Sequence, residues 1–171
     1  GAKMVFADKI EERRANIASK SAALKERLAK FKDKKKTEII ERINTNLERV
    51  NSNRTQAMTS QVSNLSDILG RLEERVSKAK ESGKDTSDAE EAIADAKSAI
   101  DAAKAAVDAQ AENEYTITVT SEATAKTEIA ATRNKLFEDL KSVHGLVKDA
   151  REQTGIAIKT AVAIGKESDG Q

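Results

Sequence analysis

The chain has 171 residues, 35% of them charged and 38% hydrophobic, with a formal net charge of +1. Only 2% are aromatic (Phe6, Phe31, Tyr115 and Phe137), and Pro, Cys and Trp are absent. Such a composition excludes disulfides, thiolate chemistry, zinc-thiolate sites and the wide mixed core of an ordinary α/β enzyme, and it fits long helices packed through Ala, Leu, Ile and Val. The net charge excludes a global attraction to nucleic acid or an anionic membrane, and no apolar run approaches the roughly 20 residues needed to span a bilayer.

Residues 1–7 read as a cloning scar, Gly1-Ala2, followed by the remnant of an export signal. Val5 and Ala7 have the small-residue spacing of a signal-peptidase site, and a charged helix opens directly after them at Asp8. The pattern predicts a first helix over 8–82, with Gly70 as its one glycine. Its stripe passes through Leu24, Leu28, Phe31, Lys35, Ile39, Ile43, Leu47, Val50, Arg54, Met58, Val62, Leu65, Leu69, Leu72, Val76 and Ala79. That is 55 residues in 15 steps, nearer an 11-residue repeat than a heptad, so a straight or slightly right-handed seam is expected. Glu26–Lys30, Glu38–Arg42 and Glu74–Lys78 are favourable i,i+4 pairs on the polar side. The Asn-rich stretch 44–54 has poor helix propensity and is the expected bend, which would turn three helices into four.

Gly83 suits the left-handed position that closes a helix, and Ser87 with Glu90 forms a capping-box signature for a second helix over 87–112. Ile93, Ala96, Ile100, Ala103, Val107 and Gln110 make its heptad seam, with small residues that admit a close partner helix. Over 115–120, Tyr115, Ile117 and Val119 alternate with Thr116, Thr118 and Thr120, the period of an extended segment. With no partner strand in the sequence, this segment is expected to be a connector laying its apolar side on the bundle. Ser121 is expected to cap a third helix over 121–165, whose seam is Ile129, Leu136, Leu140, Val143, Val147, Ala150 and Thr154, and 166–171 read as a frayed tail.

The expected fold is therefore all-α: an elongated antiparallel helical bundle or coiled coil in a single domain over 8–165. Two layouts satisfy the lengths. Either the connector reverses direction and three antiparallel helices pack together with the start of the first projecting, or it keeps direction and the later helices return along the first as one hairpin. The bundle is preferred because a two-helix hairpin buries little apolar surface. Its core is expected to set Leu65, Leu69, Leu72 and Val76 against Ile93, Ile100 and Val107, with Leu136, Leu140, Val143 and Val147 as the third side. Charge is segregated: residues 1–54 carry 15 Lys/Arg against 8 Asp/Glu, whereas 85–115 carry 2 against 9, so the two segments can attract each other or a neighbouring copy.

Motifs for chemistry are sparse. His144 is the single imidazole, the seven glycines never take a phosphate-loop spacing, and no nucleophile elbow occurs. Asp85, Asp88, Glu90 and Glu91 cluster at a helix start without the order of an EF-hand, which suits carboxylates facing a helix dipole. The densest basic run is Lys30, Lys32, Lys34, Lys35 and Lys36, a candidate interaction patch with Phe31 as its sole aromatic. Thr116, Thr118 and Thr120 form a row too short to argue for a glycan-contacting or ice-binding surface, since Thr favours extended chain in any case. No catalytic residue, cofactor site or metal site is assigned.

Through "LKERLAKFKDKKKTEIIERINTNLERVN" (24–51), "KAKESGKDTSDAEEAIADAKSAIDAAKAAVDAQ" (78–110) and "YTITVTSE" (115–122), the chain resembles a loose group of uncharacterised, predicted-exported helical proteins of uncultured candidate-phylum bacteria. The resemblance covers most of 20–150 and carries no activity, so it transfers no functional residue. It implies export and a non-catalytic role. The functional expectation is a non-enzymatic structural or protein-interaction bundle, exported to the periplasm, cell surface or exterior, that works as a spacer or binding module. Its partner is expected to be a protein or a second copy meeting the helical stripe. The alternative is an amphipathic bundle that meets lipid or an anionic surface through the basic first helix, and a cytoplasmic location stays open.

Overall fold

The computed structural model describes residues 2–166, and in it the chain is all-helical: α1 (Ala2–Leu28), α2 (Lys34–Glu81), α3 (Ser87–Glu112) and α4 (Ala125–Lys166) pack as a bundle. Gly1 and the 167–171 part of the expected tail lie outside the described residues. The first helix starts at Ala2, not Asp8, because nothing in residues 2–7 breaks a helix.

The expected single helix over 8–82 is two helices, and the break falls at 29–33, not within the Asn-rich 44–54. Polar side chains make the break without Gly or Pro. Thr37 Oγ1 donates to the Leu28 carbonyl (3.3 Å), the last of α1, and Lys34 Nζ donates to the Ala29 and Phe31 carbonyls of the turn (3.2 and 3.1 Å). Asp33 then caps α2: its carbonyl accepts the Thr37 N–H and its Oδ1 accepts the Lys36 N–H (3.1 Å). Phe31, buried, pins the turn to the core.

Gly83 closes α2 as expected. Its φ is +82°, its N–H donates to Lys80 O (2.9 Å), and the Lys84 N–H reaches back to Ala79 O (3.1 Å). The capping box at Ser87 does not form. Thr86 is the residue whose carbonyl takes the first α3 bond, from the Glu90 N–H (2.9 Å), and Asp85 Oδ1 accepts from both the Ser87 N–H (3.0 Å) and its hydroxyl (2.7 Å). Glu90 turns instead to Lys80 Nζ, 2.7 Å away. Nor does Ser121 cap α4. Its Oγ accepts the Thr124 N–H within a preceding turn, and Thr124 becomes the cap, its carbonyl accepting the Glu128 N–H (3.1 Å).

The chain divides into two compact units. One comprises 1–54 and 109–140, the other 55–108 and 141–171. In the first unit, α1 folds back against the start of α2, so it does not project. Gln110, Tyr115, Ile117 and Glu122 meet Asn51, Glu48, Asn44 and Lys36 in turn, so the connector keeps the direction of the last turn of α3 and runs antiparallel to α2. The turn at 121–124 then begins α4. The preferred bundle is thus realised with two differences: its reversal lies at 121–124, not within 115–120, and the first helix turns back at 29–33. Leu24, Leu28, Ile40, Leu47, Leu136 and Leu140 are buried in this unit.

In the second unit, Met58, Val62, Leu69, Leu72 and Val76 of α2 are buried with Ile93, Ala96, Ile100, Ala103 and Val107 of α3 and Val143, Val147, Ala150, Thr154 and Ala157 of α4. The α3 and α4 seams are those expected, except that Gln110, Ile129, Leu136 and Leu140 belong to the first unit and Ile129 is half-buried; on α2, Leu65 is half-buried. The α2 seam is displaced before Met58. It runs Ile40, Asn44, Leu47, Asn51, Thr55, whereas the expected Ile39 is 52% exposed and Arg54 is exposed. Following apolar residues alone leaves the true seam, because three of its five positions there are polar.

Candidate functional site

The connector over 115–120 is non-helical with alternating burial, and side chains of α2 and α4 hold its inner side. Tyr115, Ile117 and Val119 turn inward and are buried, as the alternation requires. An extended chain lying on helices has no strand to pair with, so its buried amides need side chains. α2 supplies these from one face, at the i, i+4, i+7 positions Asn44, Glu48 and Asn51. Asn44 Oδ1 accepts the Ile117 N–H (2.8 Å), Glu48 Oε1 accepts the Tyr115 N–H, and Asn51 Nδ2 donates to the Gln110 and Asn113 carbonyls (3.1 and 3.3 Å). Gln110 Nε2 returns a bond to Asn51 Oδ1 (3.0 Å) and another to the Tyr115 hydroxyl (2.6 Å), which itself donates to Asp139 Oδ2 (2.7 Å) on α4.

α1 closes the clasp from its other side. Arg13 Nη2 lies 3.0 Å from Glu48 Oε2 and 3.0 Å from the Asn113 carbonyl, and Arg27 Nη1 donates to the Val119 carbonyl (3.1 Å). Lys9–Glu112 (3.3 Å) and Lys20–Glu114 join the basic first segment to the acidic one, the attraction that the charge segregation suggests. Pairs this exposed contribute little stability and serve mainly to set register. Burial raises the Glu48 carboxyl above its usual range, against the opposing influence of the Tyr115 N–H and the Arg13 charge. Burial and the bond to Asp139 raise the Tyr115 phenol in the same way. At the far end Glu128 reaches back from α4 to the Thr120 hydroxyl and N–H, and those two bonds hold its carboxyl below the usual range.

The opposite edge of the connector is open. A groove of about 250 Å³ separates it from α1, walled by Lys20, Ala23, Leu24 and Arg27 on one side and by Glu114, Thr116, Ile117, Thr118 and Val119 on the other. The Thr116 hydroxyl is buried here without a hydrogen-bond partner. Among the described residues, the backbone N–H and C=O groups of Thr116 and Thr118 likewise engage no protein group. Unpaired main-chain donors and acceptors beside two cations suit recognition of another main chain. The threonine row thus has a structural meaning that alternation alone did not supply. The signal that could have found it is the polar triplet Asn44, Glu48, Asn51 on the core side of a helix.

The predicted lysine patch is split between two roles. Lys34 Nζ donates to the Ala29 and Phe31 carbonyls, and Lys36 Nζ donates to the Glu122 carbonyl (2.9 Å), so both build the turn. Lys30, Lys32 and Lys35 are exposed, although the Lys32 N–H also binds Glu122 Oε2 (3.1 Å). His144 is exposed on α4. Among the described residues, no three His, Cys, Asp or Glu side chains converge as a metal site, and no helix is long and apolar enough to cross a membrane. Comparison with protein-family models, with curated proteins and with solved structures finds no match to this chain.

Proposed function

We propose that the protein is a non-enzymatic interaction module, a helical bundle exported to the cell envelope that binds a protein partner and can act as a spacer. The observation that carries this reading is the connector. Its inner edge is fixed by α2 side chains and its Tyr115 hydroxyl by α4, while the backbone groups of Thr116 and Thr118 stay open, which is how a preorganised recognition surface is built. Export rests on the resemblance of most of 20–150 to predicted-exported, uncharacterised helical proteins.

A photo-crosslinking side chain at Thr118, with one at the exposed Ser60 as the control, tests the module reading in cells that make the protein. A discrete protein adduct from Thr118 and none from Ser60 supports it. Absence of any discrete adduct from Thr118 overturns binding through this face. The second reading, an anionic surface met by the α1–α2 turn, is favoured by one observation: Lys30, Lys32 and Lys35 stand exposed within a single turn of chain. Flotation with vesicles of phosphatidylglycerol, lost when these three become Glu and absent from phosphatidylcholine vesicles, would favour that reading over the first.

A further inference from the structure

We propose that the open edge of the connector, Thr116–Thr118, accepts an extended acidic peptide strand, which lies in the groove against α1 and continues the connector as a two-stranded ribbon. This deepens the interaction-module reading and rests on it. The edge presents the backbone N–H and C=O groups of Thr116 and Thr118, none of them engaged by a group of the described chain. Such an edge is a template for one kind of ligand, a chain with its own unpaired main-chain groups. A docking helix satisfies its backbone internally and would leave all four groups as they are. A cofactor-sized molecule is also a poor fit, since about 250 Å³ lies below the volume that such ligands usually occupy.

The second wall of the groove sets the chemistry of the strand. Lys20 and Arg27 face the connector two helical turns apart, with Ala23 and Leu24 between them. Over about 10 Å of helix rise, that is the span of roughly three residues of strand. Glu114 offsets one of the two charges, which leaves a single net positive charge along the groove and calls for one carboxylate on the ligand. The low wall at Ala23 leaves room for a backbone, and the buried Thr116 hydroxyl supplies one further partner to whatever enters. Because α2 and α4 already hold the inner edge, the strand adds to a fixed template and little ordering of the protein opposes binding.

The test selects ten-residue peptides from a random phage library on the full chain, then measures the best fluorescein-labelled sequence by anisotropy. Enriched sequences are expected to carry Thr, Val or Ile in alternation with one Asp or Glu. Thr118→Pro, which removes an edge N–H, and Ala23→Phe, which fills the groove from α1, should each weaken binding at least about tenfold. N-methylation of the peptide on its paired edge should do the same. If Thr118→Pro fails to fold by circular dichroism, Ala23→Phe decides alone, since Ala23 is exposed and does not touch the inner clasp. No enrichment over an unrelated helical bundle, or affinity unchanged by the groove-filling variant, overturns strand addition. So does light scattering that shows a dimer abolished by Ala23→Phe, because the occupant is then a second copy. Failure here with the Thr118 crosslink intact removes strand pairing and leaves the module reading standing, whereas loss of both removes both.

Discussion

Replacing Asn44 by Ala deletes the oxygen that accepts the Ile117 N–H at 2.8 Å, at a place where Ile117 is 2% exposed. Leaving a buried N–H unsatisfied costs about 1–3 kcal/mol. The same change relieves the helix of a poor former and returns up to about 0.7 kcal/mol. The bond from Asn44 Nδ2 to Ser21 Oγ is long, at 3.3 Å, and half-buried, so its loss adds little. The net is a destabilisation of about 1–2 kcal/mol, centred on the connector, or roughly a 5- to 30-fold faster opening equilibrium. Native-state amide exchange read at Ile117 and Tyr115 by NMR measures it directly, with the α3 amides at 93–107 as the internal reference. Asn53→Ala is the control, because Asn53 lies on the same helix but is exposed; its loss should stabilise by up to about 0.7 kcal/mol. If Asn44→Ala leaves Ile117 exchange unchanged, or stabilises as Asn53→Ala does, the clasp is not what holds the connector.

Two carboxylates should respond to pH with opposite sign. Burial raises the Glu48 carboxyl, so its contribution is full below the ordinary carboxylate value and is lost as pH rises through the raised one; bonds to Thr120 lower Glu128, whose contribution is full above the ordinary value and is lost as pH falls through the lowered one. In urea titrations from acid to neutral pH, the stability lead of wild type over Glu48→Gln should therefore shrink, while its lead over Glu128→Gln should grow. Parallel profiles would contradict both assignments. Gly83→Ala places a side chain at φ +82° with nothing within 4 Å of the new Cβ, so the cost is conformational alone, roughly 1–2 kcal/mol by thermal melting. Leu69→Asp, at 4% exposure, buries an unpaired charge and should cost several kcal/mol, and an unchanged melting temperature would refute the packing of the second unit. Lys36→Ala should lower stability by about 0.5–1.5 kcal/mol through the lost bond to Glu122, whereas Lys35→Ala, on an exposed side chain, should be neutral.

What could be read from the sequence, and what could not, follows from the kind of neighbour each helix has. α3 and the second half of α4 face other helices, whose backbones are satisfied from within. Their seams are accordingly almost all Ala, Ile and Val at regular spacing, with Thr154 on α4, and the spacing alone places them. The closure at Gly83 was equally legible, because a positive φ has one common solution. The break at 29–33 was not, since Asp33, Lys34 and Thr37 do with side-chain bonds what Gly or Pro does by conformation, and no propensity scale marks such a trio.

α2 shows both regimes along one helix. From Met58 to Val76 its seam is apolar. Between Ile40 and Thr55 the buried positions include Asn44, Asn51 and Thr55, with the half-buried Glu48 beside them, and the apolar pattern slides off onto the exposed Ile39 and Arg54. In the polar stretch, Asn44, Glu48 and Asn51 reach the amides and carbonyls of the end of α3 and the connector, a backbone with no ladder of its own. The Asn-rich segment that propensity marks as weak is thus weak helix for a reason: it gives up helix-forming residues to serve as the missing strand for 113–117. Buried amides at i, i+4, i+7 of an otherwise amphipathic helix therefore forecast an extended segment beside it. In this chain the period-2 run 115–120 was already in view as the segment they would hold.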